Sequence, residues 1–193
     1  VVYDAVSEDH ILNAYQAKYG ERAIPNYDFS KAETIVSVGA DFLGDWAGGG
    51  YDAKYAKGRI PVEGKMSRHI QFEANMSLTG ASADKRVPVT PSQQRAVLSA
   101  IHSGIVGGGA GTDLPGDVKT AVDNAVKQLR SSGSGAVVVS GIPDTAAQSM
   151  VLAINESLGS QVMEAGNPRM LRQGDAAAVQ QVIADMNSGQ VGA

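Results

Sequence analysis

Hydrophobic and polar positions alternate along this chain in two periods, and the switches between them predict its elements. Ile11, Leu12, Tyr15 and Tyr19 recur at helical spacing behind Ser7, a possible cap, and Gly20 stops the run, so a helix is expected over Ser7–Tyr19. "AIPNYDFSKA" carries no period and reads as an irregular link. "ETIVSVGA" is β-branched and reads as a strand ending at Gly39. A long loop with one short helix at Tyr51–Lys57 follows, then strands at "RHIQFEA" and "RVPV". From Ser92, Val97, Ala100, Ile101 and Ile105 share a helical face that "GGGAG" ends. "LPGDVKTAVDNAVKQLRSSG" is the clearest helix, with Val118, Ala121, Val122, Ala125, Val126 and Leu129 in one stripe.

"GAVVVSG" is a strand apolar on both faces, as a buried parallel strand is. It is followed by helices in "IPDTAAQSMVLAINESLG", with Asp144 as cap and Gly159 as stop, and in "GDAAAVQQVIADMNSG". Strands alternating with helices predict an α/β fold, a mostly parallel sheet with helices on both faces, of Rossmann-like type. The closing "QVGA" reads as the start of another strand. The Gly clusters at 48–50 and 107–109 read as flexible loops. The 193 residues suit a single domain over 1–193, and both ends read as cuts through a longer protein.

Composition removes several functions. The net charge of -4 provides no positive surface for nucleic acid. No apolar run is long enough for membrane insertion. Cysteine is absent, so this chain can build no disulfide, thiolate metal site or iron–sulfur cluster. His10, His69 and His102 are too scattered for a local metal spacing and read as surface or hydrogen-bonded structural residues. Arg68 and Arg86 read as surface salt-bridge partners. Trp46 reads as core edge.

In a sheet of this type, ligands bind beyond the carboxyl ends of the strands. Three loops qualify: "GADFLGDW", "NMSLTGASAD" and "SGIPDTAAQ", the last leading into a helix N-terminus, a generic anion site. None carries a sharp phosphate motif. Asp41 and Asp45 stand at a strand end, where catalytic carboxylates occur and where turn or capping roles are commoner.

"YDFSKAETIVSVGADFLGDW", "KMSRHIQFEANMSLTGASADKRVPV" and "DMNSGQVGA" together resemble the molybdopterin oxidoreductase family, in particular the large iron–sulfur and molybdopterin-like subunit of bacterial alternative complex III. The resemblance spans essentially the whole chain and implies an internal piece of that larger subunit. It implies partners as well: iron–sulfur domains of the parent subunit and other subunits of a quinol-oxidising respiratory complex, on the periplasmic side of a bacterial inner membrane.

The resemblance also implies where a cofactor would lie. Active members end the first strand in a Gly-x-Asn-Pro-like turn, and here the turn is Gly39, Ala40, Asp41, Phe42. A carboxylate stands in place of the amide, and at low dielectric it repels a pyrophosphate by up to about several kcal/mol. Ser77, Thr79, Ala83 and Asp84 keep the outline of a Ser-x-Thr-x-x-Ala-Asp pattern, with one residue more before the Ala-Asp pair. Pro91, Ser92, Gln93 and Gln94 stand where members show Pro-Gly-Thr-Asp, so the glycine and the guanine-reading acid are both replaced. The expectation is a structural, cofactor-free domain with no catalytic residue or metal of its own. The alternative is a domain that still binds a molybdopterin guanine dinucleotide through Gly39, Asp41, Ser77, Thr79, Pro91, Gln94 and Gly141. A stand-alone nucleotide-binding module is a weaker third reading.

Overall fold

The computed structural model of the chain describes residues 1–108, 113–170 and 174–191. Its elements run α1 (Asp9–Tyr19), β1 (Ile24–Tyr27), β2 (Thr34–Val38), α2 (Asp52–Gly58), β3 (Arg68–Glu73), α3 (Leu78–Ala81), β4 (Lys85–Pro88), α4 (Pro91–Ile105), α5 (Gly116–Ser132), β5 (Ala136–Ser140), α6 (Thr145–Ser157), β6 (Met163–Arg169) and α7 (Ala176–Asn187). Four strands form a parallel sheet in the order β4-β3-β2-β5. The expected α/β fold, a mostly parallel sheet flanked by helices, is therefore present.

β2 and β5 are buried at every position, as their unbroken apolar runs require. Val36, Val38, Ile70, Phe72 and Val138 face one cluster, with Val97, Leu98 and Ile101 of α4 and Val118, Val122 and Leu129 of α5. Ile35, Val137 and Val139 face the other, with Ile11, Leu12 and Tyr15 of α1. Within that second cluster the rings of Tyr27, Phe29, Phe42, Trp46, Tyr51 and Tyr55 pack on one another. Helix α6 touches both α1 and α4, giving Leu152 to one cluster and Val151 and Ile154 to the other.

Several expectations need correction. Ser7 is not the cap of α1; Glu8 holds that position, and the Ser7 hydroxyl accepts the Asp9 N–H at 3.0 Å. The link "AIPNYDFSKA" contains β1, which pairs antiparallel with β6 in a separate two-stranded sheet. Pro25 hid it, because proline weakens any strand pattern. The pairing tolerates the proline through a register shift between Ile24 and Asn26. Gly166 and Pro168 hid β6 in the same way. The Gly48–Gly50 turn is tied down: Arg169 Nη1 donates to the carbonyls of Ala47 (3.1 Å) and Gly49 (2.9 Å). Gly109 and the last two residues of "QVGA" lie outside the described residues.

The two edges of the main sheet are closed differently. β4 presents Lys85, Arg86 and Pro88, residues that discourage further pairing. β5 is closed by side chains. The Asn155 carboxamide of α6 accepts the Val138 N–H at 2.8 Å and donates to the Val138 carbonyl at 2.8 Å, as a neighbouring strand would. Ser160 donates to the Ala136 carbonyl at 2.6 Å, and Gln148 to that of Ser140 at 3.0 Å. Asn155→Leu keeps the volume and leaves both Val138 groups buried and unpaired. The expected loss is about 2–4 kcal/mol, read as a fall in melting temperature of roughly 5–15 °C. A fall of only a degree or two would show that Asn155 does not close this edge.

Candidate functional site

The strand order makes a topological switch between β2 and β5: the chain leaves β2 towards β3 and β4, then returns to β5 on the other side. Ligands of such sheets sit in the crevice between the two loops at that point. Here the loops meet. Gly39 ends β2 with φ +70°, and its N–H donates to the Phe72 carbonyl at 2.8 Å. Gly141 ends β5, and its N–H donates to the Val38 carbonyl at 3.0 Å. A Cβ on Gly141 would stand 2.2 Å from the Gly39 oxygen and 3.1 Å from the Ala40 Cα. A Cβ on Gly39 would stand 2.8 Å from the Gln94 Oε1. Gly39, Gly141 and Gln94 are thus brought together, and backbone and side chain fill the space between them.

Asp41 points towards α3. Its Oδ1 accepts the Thr79 N–H at 3.0 Å and the Thr79 hydroxyl at 2.7 Å, and the Thr79 Oγ1 accepts the Leu43 N–H at 2.9 Å. Ser77 caps the same turn, accepting the Gly80 N–H at 2.9 Å. Asp41, Ser77 and Thr79 therefore act as one set that uses the first-turn donors of α3.

The other helix starts at this edge are closed too. At α4, Thr90 and Gln93 form a capping box, with Thr90 N–H to Gln93 Oε1 at 2.8 Å and Gln93 N–H to Thr90 Oγ1 at 3.3 Å. Pro91, exposed, is the first helical residue there, where its missing N–H costs nothing. At α6, Asp144 accepts the Ala147 N–H at 2.8 Å, as expected of a cap, and meets Arg95 at 3.0 Å. The "SGIPDTAAQ" loop is thus corrected from a generic anion site to a helix start that carries its own carboxylate.

A second group escaped the sequence reading. Side chains of β3 alternate, and the set opposite Ile70 and Phe72 is polar: His69, Gln71 and Glu73 are each almost fully buried. They form a line. The Tyr55 hydroxyl meets His69 Nδ1 at 3.1 Å, His69 Nε2 meets Gln71 Oε1 at 3.3 Å, and Gln71 Nε2 donates to Glu73 Oε2 at 3.1 Å. At its far end, the Ser77 hydroxyl and Arg86 Nε each donate to Glu73 at 2.6 Å. The strict polar alternation in "RHIQFE" was the available signal, since a central strand covered on both faces must pair such groups internally.

Charge follows this geometry. Burial pushes the His69 imidazole down to about 4, so it is neutral at pH 7. Burial alone would raise the Glu73 carboxyl, but donors from Ser77, Arg86 and Gln71 outweigh it and hold the group below its ordinary value. Asp84 is lowered in the same way, by Arg59 and the His69 N–H against its burial. His69 is thus structural, as expected, and Arg86 has its salt bridge. Arg68 does not: no acidic partner meets it among the described residues.

No family model matches the chain, and no curated protein matches it. Among the described residues, no group of three or more His, Asp or Glu side chains is arranged to hold a metal ion. No helix among them is long and apolar enough to cross a membrane.

Two outcomes follow from this geometry. Gly141→Ala drives a methyl group into the Gly39 backbone, which cannot yield as a side-chain tip can. It is expected to destabilise by at least about 2 kcal/mol in urea unfolding. Gly116→Ala, with open space around its Cβ position, should change little. Near-wild-type stability of Gly141→Ala would contradict the contact. The second outcome concerns His69, whose folded pKa lies below the unfolded value of 6.5. The unfolded state therefore takes up the proton first as pH falls, and stability drops between pH 6.5 and about 4. From pH 7 to 5 the loss due to His69 is about 2 kcal/mol. Replacing His69 with Gln should flatten that slope in urea unfolding, and an unchanged slope would remove His69 as its source.

Proposed function

We propose that this chain is a structural domain of a larger molybdopterin oxidoreductase-like subunit, in a quinol-oxidising respiratory complex on the periplasmic side of a bacterial inner membrane, and that it holds no cofactor of its own. The assignment to that subunit rests on the resemblance of "DFLGDW" and "MSRHIQFEANMSLTGASADKR" and on the parallel α/β fold that such a domain needs. Electron transfer would then belong to neighbouring iron–sulfur domains, because this chain has no cysteine to ligate a cluster.

The cofactor-free part is carried by one observation: the donors and the space that a dinucleotide needs are already taken. Asp41 accepts the Thr79 N–H and hydroxyl, and Gly141 lies against Gly39. A pyrophosphate at α3 would have to displace a carboxylate and would meet like charge on entering. At α4 and α6 it would compete with the capping box and with Asp144. Arg86 and Arg95, whose carboxylate partners lie at these turns, are paired with Glu73 and Asp144. These residues do not suit a molybdopterin guanine dinucleotide, and no catalytic step is derived through one.

The deciding experiment is elemental and pterin analysis of the intact parent subunit, purified in its complex. Iron without molybdenum, tungsten or fluorescent oxidised pterin is the expected result. Stoichiometric pterin with molybdenum or tungsten would overturn the proposal and make the domain part of a working active site.

A further inference from the structure

The strand-end loops are closed, but the opposite end of the sheet is open. At the amino ends of β2 and β3 lies a broad depression of about 950 Å³. One wall is the segment from the end of α2 to the start of β3. It is a folded hairpin: Val62 and Lys65 exchange both backbone hydrogen bonds at 2.9 Å, around Glu63 and Gly64, both at positive φ. Arg59 fastens it, donating to the Ser67 carbonyl and pairing with Asp84 at 2.6 and 2.7 Å. The surface is therefore organised before anything binds.

Its chemistry is mixed in a specific way. Ile60, Val62 and Met66 are 62%, 69% and 49% exposed. Between them stand Lys57, Lys65 and Arg68, which meet no carboxylate among the described residues. The other charged groups lining the depression are Lys31, which is paired with Glu164 and Asp28; Asp84, which is paired with Arg59; and Glu33. Glu63 is at the hairpin tip, outside the lining. The Ser67 hydroxyl, in the same wall, is buried without a hydrogen-bond partner. A chain of net charge -4 thus concentrates unpaired cations beside exposed aliphatic side chains at one preformed place.

We infer that this depression is a docking surface for an acidic, leucine-like segment of another protein chain. Carboxylates of the segment pair with Lys57, Lys65 and Arg68, while its apolar side chains cover Ile60, Val62 and Met66. Complementary charge sets the orientation and the apolar contact the residence time. A bare anion would leave the aliphatic side chains wet. A nucleic acid would be repelled by the overall charge and would find no aromatic ring among the lining residues to stack on. The inference is independent of the function proposed above.

The test titrates the isotopically labelled full chain with a short synthetic peptide of glutamate and leucine and follows backbone amide shifts. Shifts centred on residues 57–68 and limited to the lining of the depression are expected, with binding that weakens as salt rises. A variant carrying Lys57→Glu, Lys65→Glu and Arg68→Glu should bind roughly tenfold more weakly or worse. Ile60→Ser with Val62→Ser should also weaken binding without changing its salt dependence. All five positions are solvent-facing, and an unchanged amide spectrum checks that each variant folds. Absence of shifts, unaltered binding by the charge-reversed variant, equal binding of oligothymidylate or inorganic phosphate, or concentration-dependent self-association through the same residues would each overturn the inference.

Discussion

A parallel sheet that stops must satisfy the backbone of its last strand by some means other than a further strand. In this protein the Asn155 carboxamide does so, taking the N–H and the carbonyl of Val138 together. Much else depends on that pair. It fixes α6 along the β5 edge, where the helix can reach both apolar clusters. It ends the sheet at four strands, while the ladder with β2 places Gly141 against Gly39. The cost of leaving two backbone groups unpaired in a dry interior is large against ordinary domain stability.

The same solution recurs at the carboxyl end of the sheet. There, donors that α/β proteins often offer to a ligand are met by the chain's own side chains: Asp41 and Ser77 at α3, Thr90 and Gln93 at α4, and Asp144 at α6. The polar line from Tyr55 to Glu73 continues the pattern inside one face of the sheet. The domain thus satisfies these strand-end positions internally. Its open and unevenly charged surface lies at the other end of the sheet, around Lys57 and Arg68.

The sequence made some of this legible. The β-branched runs of β2 and β5 and the stripe of α5 identify themselves, because burial on both faces or on one face leaves a direct period. β1 and β6 did not, because Pro25, Gly166 and Pro168 break the period while a bulge and a two-stranded pairing tolerate them. Asp144 was readable as a cap because capping is local. The contacts between Gly39 and Gly141, between Asp41 and Thr79, and between Asn155 and Val138 join distant parts of the chain, and single-sequence patterns carry no such pairing. The motif outlines placed Gly39, Asp41, Ser77, Thr79, Gln94 and Gly141 at one edge, and the structure adds what each one touches.

Residue-resolved amide hydrogen exchange, with and without a guanine nucleotide, tests the internal closure of the strand-end loops most directly. If Asp41 and the Gly39–Gly141 contact close them, the Thr79, Leu43 and Gly141 amides exchange slowly in the chain alone, and GDP leaves their rates unchanged. Fast exchange of these amides in the chain alone, slowed when GDP is added, would contradict it and return the loops to the role of a nucleotide site.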